Sequence, residues 1–130
     1  IEDNLMKIDT IKPAFSDDRG DITDLVYKEE FDAVTLIYSK KGAVRGNHYH
    51  KETTQYSYIL SGKIRAYSQK PSMDVESAIL NTGDMMISNP FERHTLHAIE
   101  DSEILIITKG PRSGIDYEED TYRVEPLHLI

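Results

Sequence analysis

The chain contains no cysteine. That absence removes disulfides, thiolate zinc sites, thiol nucleophiles and iron–sulfur clusters together. Any bound metal must be held by imidazole, carboxylate, amide or water, a donor set suited to Zn, Mn, Fe, Ni or Co. Long hydrophobic runs are missing too. No stretch is apolar enough over enough residues to span a bilayer, and no signal-peptide pattern is found at the start. Basic residues are outnumbered, with 15 Lys and Arg against 23 Asp and Glu, and the formal net charge is -8. Such a surface repels phosphate backbones and gains nothing from counterion release, which argues against nucleic-acid binding. The expectation is a cytoplasmic protein with no membrane segment and no nucleic-acid partner. Helical periodicity is weak as well: only the stretch from Tyr27 to Phe31 reads as a short helical turn.

What the chain does contain is short β-type runs separated by turn residues. Its 130 residues suffice for one domain with one core, and there is no internal repeat or low-complexity linker. Val34 to Tyr38 is β-branched and apolar, and it ends at the turn Ser39-Lys40-Lys41-Gly42. Tyr56 to Leu60 runs into Ser61-Gly62, and Lys63 to Tyr67 leaves it, the pattern of a hairpin. Ser77 to Leu80, Asp84 to Ser88, His94 to Ile99 and Glu103 to Thr108 supply further strands. Short strands at this spacing predict a sandwich or a barrel. The segment after Gly110 is acidic, aromatic and poorly periodic, which suggests a wrap over the barrel or a partner subunit.

Four of the five histidines fall in two groups, His48/His50 and His94/His97. Residues i and i+2 of a strand share a face, so His48 and His50 can project together into a cavity. A facial metal site would need further ligands from other strands. Gln55 lies where the next strand begins, and His94 lies on a later one. An H-x-H pair is also common as a plain structural pair on a strand, and both readings stay open on the residues alone. His97, at an odd offset from His94, faces the other way and reads as an edge or surface histidine. His128 in the tail has only a structural reading.

The spacing Gly42, His48, His50, Gln55, Gly62 resembles the first signature motif of the cupin superfamily, which carries Glu where this chain has Gln55. The segment from Gly83 through Pro90 to His94 resembles the second motif. That motif has proline six residues after its glycine, where Asn89 stands here, and a glycine two residues beyond its proline, where this chain has another residue. The resemblance implies an all-β, double-stranded β-helix (jelly-roll) barrel over residues 1–130. It divides into an N-terminal arm with strands (1–30), the barrel (31–108) and an acidic tail packing on barrel or partner (109–130). It also implies a divalent metal (Zn, Mn, Fe or Ni) on His48, His50, Gln55 and His94, with no organic cofactor. Replacing the family's carboxylate by an amide removes a negative charge and should weaken divalent binding.

A narrower resemblance surrounds the first histidine. Arg45-Gly46-Asn47-His48-Tyr49-His50 is similar to the Arg-Gly-x-His core of cupins acting on nucleotide-linked sugars: deoxysugar 3,5-epimerases, sugar 3,4-ketoisomerases and the cupin domains of capsule-sugar enzymes. Phe15-Ser16-Asp17-Asp18-Arg19-Gly20 resembles the Asp-x-Arg-Gly stretch that opens the epimerases, and the tail from Arg112 to Arg123 has the look of that neighbourhood. This implies isomerase or epimerase chemistry in surface-polysaccharide synthesis, in a homodimer. His48 and His50 would be catalytic, Arg45 and Arg19 would bind a diphosphate, and Tyr56 would contact the small-molecule ligand. Guanidinium forks suit phosphate oxygens, and histidine suits proton transfer beside a carbonyl. Three readings remain open: a sugar-nucleotide isomerase or epimerase, a metal-dependent cupin enzyme of dioxygenase or isomerase type, and a non-enzymatic metabolite-binding barrel.

Overall fold

The computed structural model describes residues 6–111 and 118–129. Twelve strands follow one another: β1 (Lys7–Thr10), β2 (Phe15–Asp17), β3 (Gly20–Ile22), β4 (Ala33–Ser39), β5 (Val44–Tyr49), β6 (Thr54–Ser61), β7 (Lys63–Gln69), β8 (Glu76–Asn81), β9 (Asp84–Ser88), β10 (Arg93–Ala98), β11 (Ser102–Lys109) and β12 (Tyr122–Arg123). All seven β-runs read from the sequence are strands. The helical turn expected from Tyr27 to Phe31 is absent: that stretch is irregular, with Lys28 at φ +58°. Among the described residues there is no α-helix, and one 3-10 turn spans Leu127–Leu129.

Two antiparallel five-stranded sheets face each other, one in the order β1-β9-β6-β11-β4 and the other β12-β5-β10-β7-β8. This is the jelly-roll cupin architecture expected from the motifs. Strand β6 shows why the chain folds this way. Gln55, Ser57 and Ile59 are buried while Tyr56, Tyr58 and Leu60 are not, the period of two that a pleat demands.

The buried face changes character along its length. At one end Ile59, Ile64, Ala66, Leu80, Met86, Leu96, Ala98, Ile104 and Ile106 form the apolar core. On the same faces of the same strands, one or two pleats further along, stand Gln55, Ser57, Ser68, Ser88, His94 and Thr108, all buried and all polar. The core closes one end of the barrel by hydrophobic burial. The other end is lined by groups that need hydrogen-bond partners, and this is where the histidines lie.

The termini behave differently. Strands β2 and β3 pair only with each other, and all their residues are exposed. The C-terminal segment lies against β5: Tyr122 pairs with Tyr49 and Arg123 with His48. Asn47 fastens it further, its side-chain oxygen accepting from Leu127 N–H (2.9 Å) and its carbonyl from Val124 N–H (2.9 Å).

Candidate functional site

A β-bulge aims the first histidine. His94 on β10 sits opposite His48 on β5, but the next residue, Thr95, sits opposite Gly46, so Asn47 is the extra residue. Gly46 and Asn47 both have positive φ, +105° and +56°. A Cβ on Gly46 would lie 2.6 Å from the His94 carbonyl oxygen, so glycine is needed for backbone approach as well as for conformation. Asn47 keeps its backbone N–H satisfied through the Thr95 hydroxyl (3.1 Å), and that hydroxyl donates to the Asn47 side-chain oxygen (2.6 Å). The Gly46-Asn47 pair of the Arg-Gly-Asn-His motif is thus a device for turning His48 inward.

The three imidazoles meet. Ring centroids lie 4.6 Å apart for His48 and His94, and 5.0 Å apart for His48 and His50 and for His50 and His94. One nitrogen from each can be chosen so that all three lie within 4.8 Å of one another. His50 and His94 are buried, and His48 is half-buried.

Hydrogen bonds fix two of the rings. His50 Nδ1 lies 2.9 Å from the Asp120 carbonyl oxygen, and His94 Nδ1 lies 3.2 Å from the Glu92 carbonyl oxygen. A carbonyl can only accept, so Nδ1 carries the hydrogen in both rings, and a neutral ring then has its acceptor at Nε2. His50 Nε2 lies 3.3 Å from Gln55 Oε1, and Gln55 Nε2 donates to the Ser57 hydroxyl at 3.1 Å. Oε1 can only accept, so with Nδ1–H in place this contact needs either a protonated ring or the amide turned over.

The turn before His94 answers the departure seen in the second motif. Phe91 occupies the position where that motif carries glycine, and it adopts φ +70°, a conformation natural to glycine. The turn is held by the Glu92 side chain, which accepts from Asn89 N–H at 2.7 Å, and by the Phe91 N–H, which donates to the His50 carbonyl at 2.6 Å. Phenylalanine at this position thus adopts the backbone angle that the motif's glycine would take freely.

The cluster lies along a cavity of about 320 Å³, lined by His48, Gln55 and His94 together with Arg45, Arg123 and apolar Ile37, Val44, Leu96 and Ile106. Arg45 is exposed, and its Nε and Nη2 donate to the Ser39 hydroxyl (2.8 Å) and the Tyr38 carbonyl (3.1 Å). Among the described residues it makes no ion pair, so the surface salt bridge that is the ordinary use of such an arginine is not seen.

Of the residues singled out from sequence, the fold brings His48, His50, Gln55, His94 and Arg45 together. Arg19 is not brought there within this chain. It lies on the β2–β3 hairpin, 83% exposed, and pairs with Asp17 at 2.7 Å. Tyr56 alternates with Gln55 and Ser57, so it stands on the opposite face of β6. His97 is half-buried and faces His128, with ring centroids 6.2 Å apart. Arg112 and Tyr117 of the tail lie outside the described residues.

Two residues at the site belong to the tail that sequence reasoning singled out without giving either a role. Arg123 lines the cavity beside His48, with its guanidinium 2.8 Å from Glu118. Asp120 supplies the carbonyl to His50, and its carboxylate accepts from Lys51 N–H (2.9 Å), Glu52 N–H (2.8 Å) and the Thr53 hydroxyl (2.8 Å). Burial pushes the Asp120 carboxyl up, but these bonds outweigh it and hold the group below its ordinary value. The pairing spans about 70 residues of sequence, and no local pattern announces it.

Several solved structures share this fold. A double mutant of the 3,4-ketoisomerase QdtA from Thermoanaerobacterium thermosaccharolyticum, in complex with TDP, superposes with a TM-score of 0.73 at 22% identity, covering 91% of this chain and 86% of that one. The TDP-fucose-3,4-ketoisomerase WlaRA from Campylobacter jejuni gives a TM-score of 0.73 at 15% identity over 88% and 86%. A dTDP-4-dehydrorhamnose 3,5-epimerase from Sulfolobus tokodaii gives 0.64 at 23% identity over 74% and 65%. No curated protein sequence matches the chain. At these identities the structures establish the cupin fold alone. A family model reaches further, matching residues 15–121, and by that match the chain belongs to the polysaccharide biosynthesis C-terminal domain family.

Proposed function

We propose that this protein is an isomerase or epimerase of a nucleotide-linked sugar in surface-polysaccharide synthesis, with His48 and His50 moving the proton. One observation supports the reading: the His48 and His94 imidazoles, with ring centroids 4.6 Å apart, line a cavity together with Arg45 and Arg123, and the buried His50 ring packs 5.0 Å from His48. The family's description and the nucleotide-sugar enzymes that share the fold support it.

Beside a sugar ketone, one imidazole removes the proton from the adjacent carbon. The C–H electron pair forms the enol double bond, and the carbonyl electrons move onto oxygen. Return of a proton to the former carbonyl carbon, with the hydroxyl proton of the neighbouring carbon passing to the enolate oxygen, moves the ketone, whereas return to the opposite face of the original carbon inverts it. Either outcome needs a base and an acid on a shared substrate. Arginine forks at the cavity suit a diphosphate.

Gln55 makes chemical sense here. Its amide carries both a donor and an acceptor, so by turning over it can face His50 Nε2 whether that nitrogen is bare or protonated. A carboxylate would favour the charged ring only. In this reading Gln55 keeps His50 partnered on both sides of a proton transfer. The test is conversion of a nucleotide-linked 4-keto-6-deoxysugar: His48→Ala and His50→Ala should each lower kcat by about 100-fold or more, and unchanged turnover in both would overturn the assignment.

A second reading has its own observation. Three imidazole nitrogens within 4.8 Å could hold a divalent ion, and Nδ1–H···O=C bonds at His50 and His94 are the usual support of ligating histidines. A metal on His48, His50 and His94, with the Gln55 oxygen as fourth donor, would supply Lewis-acid polarisation of an oxygen substrate. A ring whose lone pair binds metal cannot also take a proton, so the two readings exclude each other at each histidine. Elemental analysis of wild type and His50→Ala decides: a metal-free wild type ends the second reading. A ligand retained tightly and recovered unchanged after long incubation would favour a binding protein instead.

The proposal includes a homodimer. Among the described residues the β2–β3 hairpin pairs with no other strand, and isolated two-stranded hairpins are marginal in water. Docking on a second copy would bury Phe15 and Ile22 and could bring Arg19 to a diphosphate.

A further inference from the structure

We propose that Asp120, on the C-terminal segment, is a positioning residue for His50: it sets the tautomer of that ring and so which nitrogen exchanges a proton. This deepens the reading of His50 as a proton-transfer group and rests on it for its functional meaning. Its geometry is independent of that reading.

Asp120 joins two jobs in one residue. Its carboxylate accepts from Lys51 N–H, Glu52 N–H and the Thr53 hydroxyl, and so organises the whole turn that follows His50. Its own carbonyl, held in place by that clamp, lies 2.9 Å from His50 Nδ1. The residue adopts φ +53°, a conformation asparagine and aspartate tolerate better than most residues. Thr53 is fully buried, and Gly110 packs directly over it, where a Cβ would meet the Thr53 Cα at 2.7 Å. The clamp therefore sits on rigid ground. On its far side, pairing of Tyr122 and Arg123 with β5 prevents the segment from sliding.

The consequence is specific. With Nδ1–H committed to a carbonyl, His50 can accept or return a substrate proton only at Nε2, the nitrogen beside Gln55. Were the Asp120 carbonyl withdrawn, the neutral ring could adopt either tautomer. Part of the population would then present an N–H where a base is required.

Two-dimensional ¹H–¹⁵N correlation through the imidazole two-bond couplings reads this directly on the full chain, with His50→Gln used to assign the ring. The wild type should show His50 as a single Nδ1–H tautomer. Asp120→Gly keeps the carbonyl and accommodates the positive φ but lacks the clamp; it should show exchange between tautomers and lose about tenfold in kcat with a smaller change in KM. Asp120→Asn retains an acceptor oxygen and should recover most of both. An Nε2–H tautomer in the wild type overturns the proposal. So does a folded Asp120→Gly variant, its other histidine signals in place, with unaltered His50 shifts. A tautomer change in Asp120→Gly, in a protein with no isomerase activity, would uphold the positioning and overturn the catalytic reading instead.

Discussion

Three single residues make the local arguments testable. Gly46 combines φ +105° with a would-be Cβ 2.6 Å from a backbone oxygen. Gly46→Ala should therefore cost about 2–3 kcal/mol in denaturant unfolding, and the His94 ring signals should move with it. Phe91 sets φ strain against ring contact: it holds φ +70° while stacking on Tyr49 at 6.2 Å. Removing the ring while keeping a Cβ should be worse than removing both, so Phe91→Gly should unfold at higher denaturant than Phe91→Ala by about 1 kcal/mol. Equal stabilities would show that the turn carries no strain. Gln55→Glu adds a negative charge beside three imidazoles. It should raise divalent-metal content in elemental analysis and lower isomerase turnover, because the carboxylate stabilises a charged or metal-bound His50. Of these residues, Gln55 and Gly46 could be picked out in the sequence because they sit inside motifs. The meaning of Phe91 could not: a glycine-type conformation at a phenylalanine is visible only as a backbone angle.

At the level of strands, local pattern was enough to place β4, β6, β7, β8, β9, β10 and β11, because β-type runs bounded by turn residues make strands. Local pattern misled at Tyr27 to Phe31, where a few residues imitate a helical turn without neighbours to pack on. Three features escaped for a shared reason. The bulge between β5 and β10, the β12–β5 pairing and the Asp120 clamp are all contacts between residues far apart in the chain. Periodicity carries no information about which strand lies opposite which. The clamp also has a pH signature. The Asp120 carboxyl titrates below its ordinary value in the folded chain, so its contribution is complete above the unfolded-state pKa and is lost as pH falls through the folded one. Acid titration followed by the backbone amide signals of Lys51 and Glu52 should show them shifting together at the low end of the carboxylate range. In Asp120→Asn that step should be absent.

For the molecule as a whole, the barrel places an apolar plug at one end and a polar, histidine-lined cavity at the other, with two arginines at the cavity on a chain of net charge -8. Of the two, Arg123 is paired with Glu118 at 2.8 Å, so attraction for a small phosphorylated ligand there rests on Arg45. Because the β2–β3 hairpin pairs with no other strand among the described residues, the proposal is a homodimer. Sedimentation should give twice the mass of one 14.9 kDa chain, and a single-chain mass would remove Arg19 from the proposed site. The central claim is proton transfer at His48 and His50, and solvent deuterium tests it most directly. The protein is incubated in deuterated water with a nucleotide-linked 4-keto-6-deoxysugar, and the ring carbons beside the ketone are followed by NMR. The account predicts deuterium at one such carbon, with a moved ketone or an inverted centre, and neither change in His48→Ala or His50→Ala. A sugar recovered unlabelled and unchanged from the wild-type protein would contradict it.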